Sequence, residues 1–192
     1  YVRWAGEFPW TLWDMNGDGK DEVIGVKFDS QDINILRVVI YDEHGTLLYQ
    51  SENMPHQNPP NGHGNRIYLN IAYLDGVNPY VVVCSGIYPN VQSNEIMAYD
   101  GECNLVWHWH YHAGEPYNGG AHMLRVVDLD GDGMEEVIHG ATVLSGYSVE
   151  TLQVKWRFNW GHVDVVEPGD IRPDIPGMEI FFCKEQDDRG IY

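Results

Sequence analysis

Apolar positions along this chain come in short runs or in strict alternation, and glycine-bearing polar stretches interrupt them before a helical period can develop. Val23-Ile24-Gly25-Val26-Lys27-Phe28 reads as one strand and Asn34-Ile35-Leu36-Arg37-Val38-Val39-Ile40-Tyr41-Asp42 as a second. The turn Glu43-His44-Gly45 leads into a third, Thr46-Leu47-Leu48-Tyr49-Gln50, and the apolar stretch from Phe8 to Trp13 makes four. The order then recurs. Residues 66–73, 80–84, 93–100 and 105–109 form a second unit. A third runs from His122 through a polar loop to Val137-Ile138-His139-Gly140-Ala141 and ends near Val154-Lys155-Trp156-Arg157-Phe158. A fourth starts at His162 and stops after one more strand, Ile180 to Cys183.

Such repetition predicts an all-β chain built as a β-propeller, because a four-stranded sheet cannot bury both of its faces until neighbouring sheets stack on them around an axis. The expected blades cover about residues 8–60, 61–115, 119–160 and, incompletely, 161–192. The chain opens at Tyr1 and stops at Tyr192 in mid-element, so we expect it to be a piece of a longer protein whose remainder completes the fold.

Between the first two strands of the third unit lies Asp128-Leu129-Asp130-Gly131-Asp132-Gly133-Met134-Glu135-Glu136. Asp128, Asp130 and Asp132 can direct oxygens at one hard cation, Gly133 permits the sharp turn, the Met134 carbonyl faces inward and Glu136 completes the shell, which is the logic of a calcium loop. Asp14-Met15-Asn16-Gly17-Asp18-Gly19-Lys20-Asp21-Glu22 is a near copy, with Asp14, Asn16, Asp18, the Lys20 carbonyl and Glu22 as ligands. Repetition once per blade points to a structural staple. Leu74-Asp75-Gly76-Val77-Asn78-Pro79 takes the same place without the ligands, and in the fourth loop Arg172 is expected to act as an internal cation for Asp170, Asp174 or Glu179.

Charge narrows the choice of partner. With 29 acidic against 11 basic residues the net charge of -18 repels phosphate backbones, which argues against nucleic acid. No apolar run approaches the roughly 20 residues of a membrane helix, so a membrane is not an expected partner either. Cys84, Cys103 and Cys183 are widely spaced, and Cys84 and Cys183 sit in apolar runs, so buried thiols are expected rather than a zinc site or disulfide framework.

Nine histidines are unevenly placed. His63, His122 and His162 each fall just before the first strand of a blade, at the rim where inner strands begin, so their side chains are expected to converge. His108, His110 and His112 alternate on one strand and either share a ligand face or form a solvated edge, the latter being the expected reading. Trp109, Tyr111, Tyr117 and Trp160 lie near loops where an aromatic face can stack on a sugar ring, although blade packing accounts for most aromatics in such a fold.

The order of motifs resembles the rhamnogalacturonan lyases of polysaccharide lyase family 11. The resemblance rests on Gly64-Asn65-Arg66, Ala72-Tyr73-Leu74-Asp75-Gly76-Val77 with Pro79, Gly86-Ile87-Tyr88, Ala98-Tyr99-Asp100, His122, the loop at 128–136, Gly140-Ala141-Thr142-Val143, Gly161-His162 with Asp164, and Asp170 through Pro176-Gly177-Met178-Glu179-Ile180-Phe181. It implies an eight-bladed calcium-binding propeller, of which about three and a half blades are present. It also implies an extracellular or periplasmic setting and an acidic polysaccharide as substrate. Three departures stand out: Ser85 replaces an arginine, Arg172 replaces an acid, and His162-Val163-Asp164 replaces His-Gly-Asp.

Such a lyase removes the C5 proton of a uronate and breaks the bond at C4, and charge developing on the C6 carboxylate needs a cation or donor. Here the candidates are His122 and His162 around the carboxylate or an additional metal, Arg66 as carboxylate clamp, and Tyr88 as acid or base, with Asn65, Asp164 and Trp160 binding substrate. The alternative is a non-catalytic carbohydrate-binding or adhesion propeller that keeps the calcium scaffold, or a scaffold for protein contacts.

Overall fold

The computed structural model describes residues 9–29, 35–55, 67–85, 95–110, 122–158, 163–184 and 190–192. Its regular elements are all strands, arranged in four antiparallel meanders. The first sheet comprises β1 (Trp10–Trp13), β2 (Glu22–Phe28), β3 (Leu36–Tyr41) and β4 (Leu47–Gln50). The second comprises β5 (Ile67–Ala72), β6 (Tyr80–Ser85), β7 (Glu95–Tyr99) and β8 (Leu105–His110). The third comprises β9 (Leu124–Val127), β10 (Glu136–His139), β11 (Thr142–Ser145) and β12 (Gln153–Arg157). The fourth comprises β13 (Val163–Gly169), β14 (Glu179–Lys184) and β15 (Gly190–Ile191).

Two of these strands correct the sequence expectation. β11 was hidden because Gly140, at φ 59°, and Ala141 make a two-residue turn, so the apolar run continues across a hairpin with no polar gap to mark it. The fourth sheet has a third strand, β15, which pairs Ile191 with Cys183 and Gly190 with Lys184.

The unbroken apolar runs have a physical reason. Val81 and Val83 of β6 point into a core shared with Ile24, Val26, Val38 and Ile40 of the first sheet, whereas Val82 and Cys84 point the other way, into a core shared with Leu124, Val137 and Leu144 of the third. In the same manner Ile138 and Val143 face Val163, Val166 and Phe182 of the fourth sheet. A strand buried on both faces has no polar positions to alternate with. Each fully buried Val, Leu or Ile contributes roughly 1.5–3 kcal/mol, so the contacts between sheets, and not the strands singly, hold the chain together.

The outer strand of each four-stranded sheet carries a bulge at the same place. The register skips Leu48 between Tyr49 and Leu47, Val106 between Trp107 and Leu105, and Lys155 between Trp156 and Val154. The first strands of successive sheets pack against one another, β1 on β5, β5 on β9 and β9 on β13. At one end the entries of β9 and β13 meet, with His122 Nε2 3.8 Å from Asp164 Oδ1, and further along Arg125 is bonded to Glu167. At the other end the loops leaving these strands meet, with Met178 N donating to Leu129 O at 3.0 Å. β9 and β13 therefore run in the same direction, and this part of the molecule has a loop rim and an opposite rim.

Candidate functional site

On the loop rim, residues 14–22 and 128–136 wrap in the same way. Asp14 Oδ1 accepts from the amides of Gly17 (2.7 Å) and Asp18 (3.1 Å) and its Oδ2 from Gly19 (2.8 Å). Asp128 accepts from Gly131, Asp132 and Gly133 at 2.8, 3.1 and 2.9 Å. The sixth residue must take a left-handed conformation to close this wrap, and Gly19 and Gly133 do so at φ 86° and 89°. Asp18 then accepts from Lys20 N (2.9 Å) and Asp132 from Met134 N (2.8 Å). The ninth residue is buried: Glu22 accepts from Met15 N, and Glu136 from Leu129 N, each at 2.8 Å.

Oxygens of Asp128, Asp130 and Glu136 lie within 4.8 Å of one another. A compact set of carboxylate oxygens fits a hard cation such as calcium, and the loop amides that bond these acids leave lone pairs for one. The two loops part at the third residue. In the first, Asn16 Nδ2 donates to Glu22 Oε1 at 3.0 Å. In the third, the Lys155 ammonium lies 2.8 Å from Glu136 Oε1 and 2.6 Å from Asp130 Oδ2. Burial works against the charge on Lys155, but its hydrogen bonds to Asp130 and Glu136 outweigh it and hold its pKa above the lysine range. The same ammonium holds the Asp130 carboxyl below the usual carboxylate range.

The remaining loops are closed without an acid cluster. Asp75 accepts from Val77 N, Asn78 N, Asn78 Nδ2 and the Tyr80 hydroxyl at 2.7–3.1 Å. Burial, and then the Asp75 carboxylate, push the Tyr80 hydroxyl up to about 12. Arg172 makes a two-pronged contact to Asp174 at 2.9 and 2.7 Å, as the expectation of an internal cation requires, while Glu179 accepts from the amides of Ile171 and Arg172. The loops also dock on one another: Tyr73 N donates to Glu135 Oε2 at 2.7 Å, and a Cβ on Gly76 would lie 2.5 Å from Gly133 O.

On the opposite rim, His122 at the entry to β9 and Asp164 in β13 come together, with Nε2 and Oδ1 3.8 Å apart and both groups partly exposed. The segment carrying His122 is tied down from beneath, because His139 on β10 is completely buried and its Nδ1 lies 3.0 Å from Met123 O. Beside it Arg125 donates to both oxygens of Glu167, Nε to Oε2 at 2.9 Å and Nη2 to Oε1 at 2.6 Å. Glu167 holds the arginine's charge, and Arg125 holds the Glu167 carboxyl below its usual range. Two pairs, an imidazole with a carboxylate at the strand entries and a guanidinium with a carboxylate further along, thus join β9 to β13, and the first is a set able to move a proton.

Of the residues nominated from sequence, His122 and Asp164 are brought together across two sheets. His162, Arg66, Tyr88, Asn65 and Trp160 lie outside the described residues, as do His63, His112, Tyr111 and Tyr117. Trp109 packs against the core between the second and third sheets rather than standing as an exposed platform. His108 and His110 do not form a solvated edge: both are half-buried, and His108 Nε2 contacts the fully buried Glu95. Cys84 and Cys103 are buried free thiols and Cys183 is half-buried; burial raises the Cys84 thiol far above its usual range and Cys103 up to about 12. Sequence reasoning missed Lys155, Arg125, Glu167 and Glu95. Opposite charges at the same position of neighbouring first strands were a usable signal for Arg125 and Glu167, whereas the bulge that turns Lys155 onto a loop has no mark in the sequence.

Residues 43–191 match the family described as rhamnogalacturonan lyase family 11, C-terminal domain. The chain is 31% identical over 193 aligned residues to the rhamnogalacturonan exolyase YesX of Bacillus subtilis, covering 90% of this chain and 30% of that protein. It is 30% identical over 129 residues to the rhamnogalacturonan endolyase YesW of the same organism, covering 64% of this chain and 20% of the relative. The chain therefore spans less than a third of the length of these relatives. Among solved structures, a Bacillus licheniformis rhamnogalacturonan lyase, PL11, superposes with a TM-score of 0.79 at 24% identity, over 96% of this chain and 37% of that one. The exotype lyase YesX superposes with a TM-score of 0.77 at 24% identity, over 95% and 35%; both are likenesses of fold.

Proposed function

Since the chain belongs to rhamnogalacturonan lyase family 11, whose C-terminal domain model it matches over residues 43–191, we propose that it is part of a polysaccharide lyase acting on an acidic, uronate-containing, rhamnogalacturonan-like polymer by β-elimination. The observation that carries this reading is the pairing of His122 with Asp164 at 3.8 Å on a partly exposed rim. An imidazole beside a carboxylate takes up positive charge readily, and a charged imidazole next to a uronate carboxylate stabilises the enolate formed when C5 loses its proton. The electron pair left at C5 then forms the C4–C5 double bond as the bond from C4 to the leaving oxygen breaks, and that oxygen takes a proton.

In this reading Arg66 clamps the substrate carboxylate, Tyr88 serves as acid or base, His162 acts with His122 on the carboxylate or on an additional metal, and Asn65, Asp164 and Trp160 hold the sugar. Calcium is held by Asp14, Asn16, Asp18, Glu22 and the Lys20 carbonyl, and by Asp128, Asp130, Asp132, Glu136 and the Met134 carbonyl, as a staple between the first two strands of a sheet. The sheets are blades of a propeller, about half of an eight-bladed one. Abundant extracellular calcium suits an extracellular or periplasmic location.

The test is incubation of the intact protein with rhamnogalacturonan and other uronate polymers while following ultraviolet absorbance from unsaturated chain ends. The expected result is a rise that falls at least about 100-fold in His122→Ala, with the melting temperature unchanged. Absence of the rise on every uronate polymer, together with measurable sugar binding, would overturn the reading in favour of a non-catalytic binding module.

A further inference from the structure

Glu95 opens β7 and is wholly buried, an unusual place for a carboxylate unless cationic partners converge on it. The antiparallel register supplies them. Glu95 stands opposite His110 and Met97 opposite His108, so the side chains of Glu95, His108 and His110 share one face of the second sheet. His108 Nε2 contacts Glu95 Oε2, the two imidazole rings lie 4.9 Å apart at 31°, and one ligand atom from each of the three residues falls within 4.8 Å of the others. Neighbouring ligands of a tetrahedral zinc ion stand about 3.4 Å apart, so small rotations of half-buried imidazoles bring this set onto one ion.

A second observation points to the same spot. Ser85 is 1% exposed, and its hydroxyl has no hydrogen-bond partner among the described residues. It is paired with Glu95 on the other side, in the row Ile67, Ser85, Glu95, His110 across the sheet. With one Glu95 oxygen on a metal, the other can accept from Ser85, which is how outer-shell donors orient a metal-binding carboxylate. The row lies at the end of the sheet where β5 begins, away from the loop that follows β5.

We propose that Glu95, His108 and His110 form a binding site for a first-row divalent metal ion of the zinc class, with Ser85 supporting the carboxylate. Two imidazoles and one carboxylate suit zinc or cobalt and are poor ligands for calcium, which takes six or more oxygens. His108, with 22% of its side chain exposed, leaves a path for the ion to enter. Three protein ligands leave a fourth position for water or a ligand.

The experiment titrates the intact, calcium-saturated protein with Co2+ and follows its visible absorption. The expected result is one equivalent bound with the intense bands of a four- or five-coordinate ion, displaced by Zn2+. Ser85→Ala should weaken binding roughly tenfold. His108→Ala combined with His110→Ala should abolish the bands, and Zn2+ should raise the melting temperature of the wild type but not of that double variant. No Co2+ uptake by the calcium-saturated wild type, or equal uptake by the double variant, overturns the proposal. Should the double variant not fold, paramagnetic shifts are read on the wild type: His108 and His110 ring signals displaced by one equivalent of Co2+ support the site, and undisplaced rings overturn it.

Discussion

Residues 14–22 and 128–136 share a nine-residue pattern and wrap their first aspartate alike, yet they satisfy the buried glutamate at the ninth position by different means. Glu22 Oε1 receives an amide hydrogen from Asn16, within its own loop, whereas Glu136 Oε1 receives the ammonium of Lys155, from the outer strand of the sheet. The exchange is coordinated. Where the third residue is a neutral amide, the bulge position holds Leu48; where it is Asp130, the bulge holds Lys155. Two carboxylates pointing at one place repel unless a positive charge stands between them, and an amide next to a carboxylate needs none. Two near-identical motifs can thus differ in how much they depend on an external ion.

The largest effect should come from the shared glutamate. Glu136→Ala leaves the buried Leu129 amide without its acceptor and takes one of the two acids from Lys155, and should lower the unfolding free energy by about 2–3 kcal/mol in chelator. Glu22→Ala removes only neutral donors' acceptor and should cost about 1–2 kcal/mol. Urea titration of both variants decides this, and equal losses would break the comparison.

A smaller loss isolates the ammonium. Lys155→Met should destabilise the chelated protein by about 0.5–1 kcal/mol, because it leaves the buried Glu136 carboxylate without its ammonium partner. Adding calcium should restore more stability in this variant than in the wild type, since the ion then replaces the missing charge; a restoration no larger than the wild type's would show that Lys155 and the ion do not share a site. Smaller again is the conversion of one loop into the other. Asp130→Asn combined with Lys155→Leu should be neutral within about 0.5 kcal/mol, because the asparagine amide can take the place it holds beside Glu22.

The smallest effect is on pH dependence. Asp130 is held below its ordinary pKa of 3.8 by Lys155, so this pair contributes stability above that value and loses it as the pH falls through the lower folded-state pKa. In Lys155→Met the carboxyl should titrate closer to its ordinary value, seen by carbon NMR of Asp130 in chelator. An unchanged titration would mean that the loop amides, not the ammonium, set it.

The opposite rim teaches the complementary lesson. His122 drew attention by its place before a first strand, and Asp164 through the family resemblance; they meet because β9 and β13 lie side by side in the same direction. His108 and His110 were legible as an alternating pair but not as partners of Glu95, because their shared face is defined only by the register of β7 on β8. Nothing local distinguishes a strand-opening glutamate in water from one sealed beneath a neighbouring sheet.

Much of the molecule follows from short-range pattern. Runs such as Tyr80-Val81-Val82-Val83-Cys84 can be strands only if both faces are buried, and the spacing of aspartates and glycines in 128–136 dictates a wrap around Asp128 whatever surrounds it, since the donors lie within five residues. These features need only local geometry and alternation. What brings Lys155 onto Glu136, His122 onto Asp164 and His110 opposite Glu95 is a bulge, the packing of one sheet on the next and a strand register. Each sums contacts between residues far apart in the chain, so it is decided by the free energy of the packed sheets and has no signature in any one segment.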